Sequence, residues 1–187
     1  MKRVLLIDNY DSFIYNISQL LEEAGARVEI IKNDEIDFGA LKSFDGAIIS
    51  PGPGLPETNG DILKFIGGFK KPIFGICLGH QAIAQFCGAK LKRIDPSHGV
   101  FSNIRILRRD PIFKGISGEF IGAGRYHSWS VDSNGLPPNL EITSVSADGE
   151  IMSLRRTDAP MKSVQFHPES VMTENGIVII SNWLKEI

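Results

Sequence analysis

The stretch Gly75-Ile76-Cys77-Leu78-Gly79 places a cysteine between two glycines, where an apolar run meets helix-favouring residues. This spacing is typical of a nucleophile elbow, a sharp strand-to-helix turn that exposes its central side chain above a sheet. The free N–H groups and the dipole of a helix N-terminus favour an anion such as a thiolate, and the N–H of Leu78 could bind an oxyanion. A small buried cysteine beside packing glycines is the alternative. We interpret Cys77 as a nucleophile.

A cysteine nucleophile needs a base and a group that orients the base. The segment Phe166-His167-Pro168-Glu169 offers both, because Pro168 disfavours helical geometry for His167 and keeps it extended. Residues two apart in an extended segment point to the same side. His167 and Glu169 are therefore predicted to lie side by side, as a base and its orienting carboxylate should.

The other candidates fit these roles less well. His80 follows in the first turn of the helix, and His98 has no acidic neighbour close in sequence. His127 is a better candidate than either, but we expect it to be a packed, hydrogen-bonded histidine. Cys87 sits late in the same helix among apolar residues, which is typical of a structural cysteine.

A third feature is Pro51-Gly52-Pro53-Gly54, which ends an apolar run. Glycines between prolines form a rigid loop with accessible backbone N–H groups, the material of an oxyanion hole. A phosphate loop is excluded, since no Gly-Lys-Ser/Thr follows, and a plain turn is the alternative.

The elements that must position these residues alternate in the first half of the chain. Strands are predicted at Val4–Ile7, Val28–Ile31, Ala47–Ile49 and Ile73–Ile76, and helices at Ser12–Ala24, capped by Ser12, and Asp61–Phe69. Continuous apolar strands of this kind are buried on both faces, and strand–helix–strand repeats indicate a parallel sheet with helices on both sides. The three features above then fall at the carboxyl ends of strands, where open α/β sheets place their sites.

The second half is rich in short β segments before a last helix at Glu174–Lys185. The predicted strands are Asn103–Leu107, Phe120–Ala123, Glu141–Ala147, Ile151–Leu154 and Ser163–Phe166. The expected fold class is α/β, an open, mostly parallel sheet with a β-rich antiparallel elaboration. Without a linker or repeat, residues 1–187 are expected to form a single domain.

The composition limits the cellular location and the classes of binding partner that the sequence favours. The chain has 187 residues, 42% hydrophobic and 22% charged, with a net charge of −2 and no basic block, which argues against nucleic acid or an anionic membrane as a partner. The apolar run Val4–Ile7 is too short for a signal peptide or a membrane span. Two cysteines in a chain of this size do not indicate disulfides, so we expect a cytoplasmic protein.

Four motifs carry a family resemblance across essentially the whole chain. They are PGPG at 51–54, GICLGHQ at 75–81, YHS at 126–128 and FHPES at 166–170. In order and spacing they resemble the class I (triad) glutamine amidotransferases. The opening LIDNYDSF…YN, residues 6–16, is similar to the amidotransferase subunits of anthranilate synthase and para-aminobenzoate (aminodeoxychorismate) synthase.

The resemblance implies a role for each matched residue. Cys77 would be the nucleophile, His167 the general base and acid, and Glu169 its orienter. The N–H groups of Gly52 and Leu78 would form the oxyanion hole. Glutamine would be held by Gly52, Pro53, Gly54, Gln81, Ser128 and Trp129. No metal or organic cofactor is implied.

The family also implies a partner. Ammonia released from L-glutamine would pass to a synthase subunit that aminates chorismate, and this chain has no length left for that second activity. The residues expected to face the partner are Asn9, Tyr10, Asp11 and Ser12. Two other functions stay open from the sequence: a free-standing cysteine-dependent γ-glutamyl hydrolase of the same fold, and a regulatory subunit that has lost its chemistry.

Overall fold

The computed structural model describes residues 1–187. Eleven strands and four α-helices follow the chain in this order: β1 (Arg3–Asp8), α1 (Ile14–Glu23), β2 (Arg27–Lys32), β3 (Gly46–Ile49), α2 (Ile62–Gly68), β4 (Ile73–Ile76), α3 (Leu78–Phe86), β5 (Leu91–Arg93), β6 (Val100–Ile106), β7 (Phe120–Arg125), β8 (Trp129–Val131), β9 (Leu140–Ser146), β10 (Ile151–Arg156), β11 (Met161–Val164) and α4 (Gly176–Leu184). No helix is long and apolar enough to cross a membrane.

One nine-stranded sheet organises the molecule, with the order β2-β1-β3-β4-β11-β10-β9-β6-β7. The strands from β2 to β11 run parallel to their neighbours, and those from β11 to β7 are antiparallel. A small second sheet pairs β5 with β8. The predicted α/β class, with a parallel sheet and an antiparallel elaboration, is confirmed.

Both faces of the parallel strands are covered, as the continuous apolar runs predicted. Val4 and Leu6 of β1 pack in a cluster with residues of α1 and α4. Leu5 and Ile7, which point the other way, pack in a second cluster with residues of α2 and α3. Alternate residues of a strand face opposite sides of a sheet, and here helices cover both sides. All four side chains are therefore fully buried.

The start of α1 differs from the prediction that Ser12 caps it. The N-cap position is Phe13, without a side-chain cap, and Ser12 is exposed. The Asp11 carboxylate instead accepts a hydrogen bond from the Phe13 N–H at 2.9 Å. An aspartate that bonds the backbone two residues on forms its own turn, and it displaces the serine from the capping role.

The largest difference from the predicted topology concerns β11. The sequence places the run Ser163–Phe166 in the antiparallel elaboration, but β11 pairs parallel with β4, with Val164 opposite Ile76. Short apolar runs do not encode their pairing partner, so the sequence could not reveal this register. Its consequence is that the segment following β11 emerges beside the strand that leads into Cys77.

Candidate active site

Cys77 occupies the tight corner between β4 and α3. Its backbone has φ 51° and ψ −100°, a conformation that non-glycine residues rarely adopt. A Cβ at Gly75 would lie 2.4 Å from the Gly79 carbonyl oxygen, and one at Gly79 would lie 2.3 Å from the Ile49 carbonyl oxygen. Both flanking glycines are therefore required by close backbone approach, which is the geometry of a nucleophile elbow.

The parallel pairing of β4 and β11 brings the second chemical group to this corner. The Cys77 N–H donates to the Val164 carbonyl at 2.9 Å, and His167 follows three residues later. His167 Nδ1 lies 2.6 Å from Glu169 Oε1, and both side chains are buried. The predicted adjacency of the histidine and the glutamate is confirmed.

The surroundings of His167 favour its charged form. Burial of the ring opposes the imidazolium, but the charge and hydrogen-bonding capacity of Cys77 and the contact with Glu169 raise the pKa of His167 well above 6.5. His167 Nε2 itself has no partner that meets hydrogen-bond geometry. Loose catalytic hydrogen bonds are common before substrate binds.

Two aromatic rings fix the orientation of the His167 imidazole. The Tyr126 ring lies 4.9 Å away and the Phe13 ring 6.0 Å away, both edge-on. The Tyr126 hydroxyl is held 3.1 Å from the Ser170 hydroxyl. With Glu169 on Nδ1, these contacts leave Nε2 as the ring atom available for chemistry.

Cys77 opens into a pocket of about 170 Å³. It is lined by Gly52, Pro53, Gly54, Cys77, Leu78, Gln81, Tyr126, His127, Ser128 and Trp129. Every residue that the family resemblance assigns to oxyanion or glutamine binding thus lines one cavity. A larger cavity of about 560 Å³, lined by residues between Ile106 and Glu119, contains none of them and has no cysteine or histidine in its lining.

Gln81 is fixed within this pocket. Its Nε2 donates to the Trp129 carbonyl at 2.9 Å and to Gln165 Oε1 at 3.1 Å. An amide nitrogen has two hydrogens, so both are used and Oε1 remains free to accept a hydrogen bond. Gln165 was not singled out from the sequence, although a buried polar residue inside the apolar run Val164–Phe166 is a usable signal.

His127 and His80 are both buried and held by hydrogen bonds. Arg125 Nε donates to His127 Nε2 at 3.1 Å, which makes Nδ1 the donor to the Trp129 carbonyl at 2.9 Å. His80 Nδ1 lies 2.9 Å from the Ser163 hydroxyl. Burial lowers the pKa of His127 to about 4 and, together with the charge on His127, lowers that of His80 to about 3.

The loop after β1 lies at the same edge of the sheet, and its residues differ in how far they are exposed to solvent. Tyr10, with φ 60°, is 54% exposed, and its hydroxyl donates to the Asp34 carboxylate at 2.9 Å. Burial raises the pKa of Asp11, which is close enough to feel the charges of His167 and Glu169.

Asn9 is fully buried, so its side chain cannot face a partner as expected. Its Nδ2 donates to the Ser50 carbonyl at 2.8 Å. An asparagine that follows a buried strand can satisfy backbone groups of the adjacent loop, which explains why the Asn9 side chain is turned inward.

Comparison with known proteins identifies the class. The family model described as glutamine amidotransferase class-I matches residues 5–187, and the chain belongs to this family. It is 44% identical to anthranilate synthase component 2 of Saccharolobus solfataricus, covering 100% of both chains. It is 41% identical to aminodeoxychorismate/anthranilate synthase component 2 of Bacillus subtilis, covering 97% of this chain and 95% of that protein.

A fused relative and a solved structure extend the comparison. The chain is 45% identical to the bifunctional protein TrpGD of Thermotoga maritima over 98% of its own length, which is only 32% of that longer protein. A crystal structure from Thermoplasma acidophilum, of a protein described as one of the subunits of GMP synthase, superposes with a TM-score of 0.89 at 27% identity. The match covers 99% of this chain and 93% of that one.

Proposed function

We propose that this chain hydrolyses L-glutamine to glutamate and delivers the ammonia to a synthase subunit that aminates chorismate. The observation that carries the proposal is the pocket, which joins Cys77 to the predicted oxyanion and glutamine-binding residues, with the His167–Glu169 pair beside it. The names of the relatives, component 2 of anthranilate or aminodeoxychorismate synthase, supply the kind of partner.

The first half-reaction uses the thiol and the two predicted N–H donors. The Cys77 thiol gives its proton to His167, and the sulfur attacks the side-chain amide carbon of glutamine. The resulting oxyanion accepts hydrogen bonds from the N–H groups of Gly52 and Leu78. The carbon–nitrogen bond then breaks, and His167 gives its proton to the departing nitrogen, which leaves as ammonia. A glutamyl thioester on Cys77 remains.

The second half-reaction restores the enzyme. His167 takes a proton from water, the resulting nucleophile attacks the thioester carbon, and glutamate leaves as the sulfur regains a proton. The free Oε1 of Gln81 is suited to accept from the α-ammonium group of glutamine. The Trp129 carbonyl already accepts from Gln81 and His127, so contacts of the 128–129 segment with substrate fall to its other groups.

The division of labour gives a direct test in the complex with the synthase subunit. Cys77→Ser should lower glutamine-dependent amination by at least about 10⁴-fold, because the thiol is the nucleophile of one catalytic unit. Amination with added ammonium salt should stay within about twofold of wild type. Cys87→Ser is the control and should support both reactions, and assays of anthranilate and para-aminobenzoate identify the product. Loss of the ammonia-driven reaction in an intact Cys77→Ser complex would refute the assignment.

Tyr10 is the residue of the β1–α1 loop best placed to meet the partner. We expect the synthase to raise glutaminase activity at least about tenfold, a coupling of about 1.4 kcal/mol. Tyr10→Ala should weaken this activation without changing the reaction of Cys77 with a small thiol reagent. Phe120→Ala is the control, since Phe120 is as exposed as Tyr10, at 56% against 54%, but lies on the edge strand β7. Normal activation of the Tyr10 variant would exclude this contact.

A further inference from the structure

Three asparagine side chains form a continuous chain of hydrogen bonds beside the 50–55 loop. Asn33 Nδ2 donates to Asn9 Oδ1 at 3.1 Å and approaches Asn59 Oδ1 at 3.5 Å. Asn9 and Asn33 are 0% and 3% exposed, and Asn59 is half-buried. We call Asn9, Asn33 and Asn59 the asparagine network.

The network holds the loop on both sides of Gly52. On one side, Asn9 Nδ2 donates to the Ser50 carbonyl at 2.8 Å, and the Asn9 N–H donates to the Ser50 hydroxyl at 2.9 Å. On the other, Asn59 Nδ2 donates to the Pro53 and Leu55 carbonyls at 2.7 and 2.9 Å. Asn33 is the link between the two ends.

Backbone carbonyls fix the direction of every amide in the network. A carbonyl can only accept, so the Nδ2 atoms of Asn9 and Asn59 must face the loop, and their Oδ1 atoms must face Asn33. Asn33 must then present its Nδ2 to both. An aspartate at position 33 or 59 would place an acceptor against acceptors, although its shape is nearly the same.

Gly52 packs too closely against Asn9 for its backbone to shift toward the asparagine network. A Cβ on Gly52 would lie 2.5 Å from Asn9 Cβ and 2.6 Å from the Asn9 carbonyl oxygen. The Gly52 peptide is therefore packed directly on Asn9 while its neighbours on both sides are hydrogen-bonded to the network.

We propose that Asn33 and Asn59 are positioning residues that hold the Gly52 N–H in the orientation needed to bind the oxyanion. This role rests on the proposed glutaminase function. Oxyanion donors act only when they are oriented before the reaction, and removal of one donor typically costs about 10²–10³-fold in kcat. If the hydrogen bonds at one end of the loop are removed, the Gly52 N–H should lose part of its stabilisation of the oxyanion, and kcat should fall.

The test compares Asn33→Asp and Asn59→Asp with Asn103→Asp, in a Cys87→Ser background and with the synthase present. Asn103 is an exposed residue of β6 that makes no side-chain hydrogen bond to the loop. We expect kcat for glutamine hydrolysis to fall about tenfold or more in the first two variants, with KM changed less than kcat. Alkylation of Cys77 by iodoacetamide should stay within about twofold, because that reaction forms no oxyanion. The control should match wild type.

Further measurements separate positioning from general damage. Because Asn33 and Asn59 act through one network, the double variant should be little worse than the more severe single variant. The role is overturned if kcat stays within twofold of wild type in both variants, or if alkylation and melting temperature fall in step with kcat. A wild-type complex that does not hydrolyse glutamine would refute the proposed function and this role together, whereas an active wild type with unaffected variants refutes the role alone.

Discussion

Cys77 is held in place by main-chain geometry, whereas His167 and Glu169 are held by contacts between side chains. On the nucleophile side, residues 75–79, the spacing between backbones leaves no room for even one added carbon at Gly75 or Gly79. On the base side, residues 166–170, a hydrogen bond and two edge-on rings orient the imidazole.

This difference predicts two kinds of response to substitution. Overlap with a backbone carbonyl cannot be relieved by a rotamer change, so the nucleophile side should respond in an all-or-none manner. A side-chain contact can be weakened in steps, so the base side should show graded losses that depend on which group remains. The following substitutions test this contrast.

The largest effect on the base side is expected for His167→Ala. We expect kcat to fall about 10³–10⁴-fold, near the loss for Cys77→Ser, because members of one nucleophilic unit do not contribute additively. Steady-state glutamine hydrolysis measures the loss, and His127→Ala serves as the comparison. If His127→Ala or His80→Ala proved as damaging in a folded protein, the base would be a different histidine.

Gly79→Ala tests the nucleophile side. The added Cβ would overlap the Ile49 carbonyl, so we expect a stability loss of about 3 kcal/mol and at least a hundredfold loss of kcat. Gly68→Ala is the matched control, because Gly68 lies in α2 and its added Cβ would meet nothing nearer than 3.8 Å. Urea unfolding and glutaminase assays should leave the control near wild type. A graded, tenfold response of Gly79→Ala would erase the distinction between the two sides.

Glu169→Gln should produce an intermediate loss of about 10–100-fold, since the amide still orients the imidazole but carries no charge. The carboxylate helps to raise the pKa of His167. Its neutralisation should lower that pKa, so the imidazolium is lost at a lower pH. The alkaline limb of the pH profile of kcat/KM should therefore move to lower pH. An unchanged alkaline limb would show that Glu169 does not act on His167 through its charge.

The smallest effect on activity is expected for His80→Gln, with kcat within about threefold of wild type. The lowered pKa of His80, about 3, means that the folded protein binds fewer protons than the unfolded chain below pH 6.5. The contribution of His80 to the free energy of unfolding is thus fully present above pH 6.5 and is lost as the pH falls. The free energy of unfolding should therefore fall less between pH 7 and pH 5 in the His80→Gln variant than in wild type, by about 2 kcal/mol. Urea unfolding at both pH values measures it, and an unchanged loss would show that His80 is not buried in its neutral form.

Local spacing was enough to predict much of the fold and the central part of the site. The two-residue interval between His167 and Glu169, and the glycines two residues on each side of Cys77, fix geometry within a few bonds, so they could be read from the chain. The apolar runs of β1 and β4 likewise predicted strands buried on both faces.

What only the tertiary structure decided involves residues far apart in the chain. The pairing of Val164 with Ile76 sets His167 beside Cys77, and Asn9 and Asn33 lie 24 residues apart. Tyr10 and Asn9 are neighbours in sequence, yet one is exposed and the other fully buried. Sequence determines the local shape of each segment because that shape depends on nearby dihedral angles. Which segments meet depends on the packing of the whole sheet, because a short apolar strand can pair with several partners and only burial of the complete core selects one.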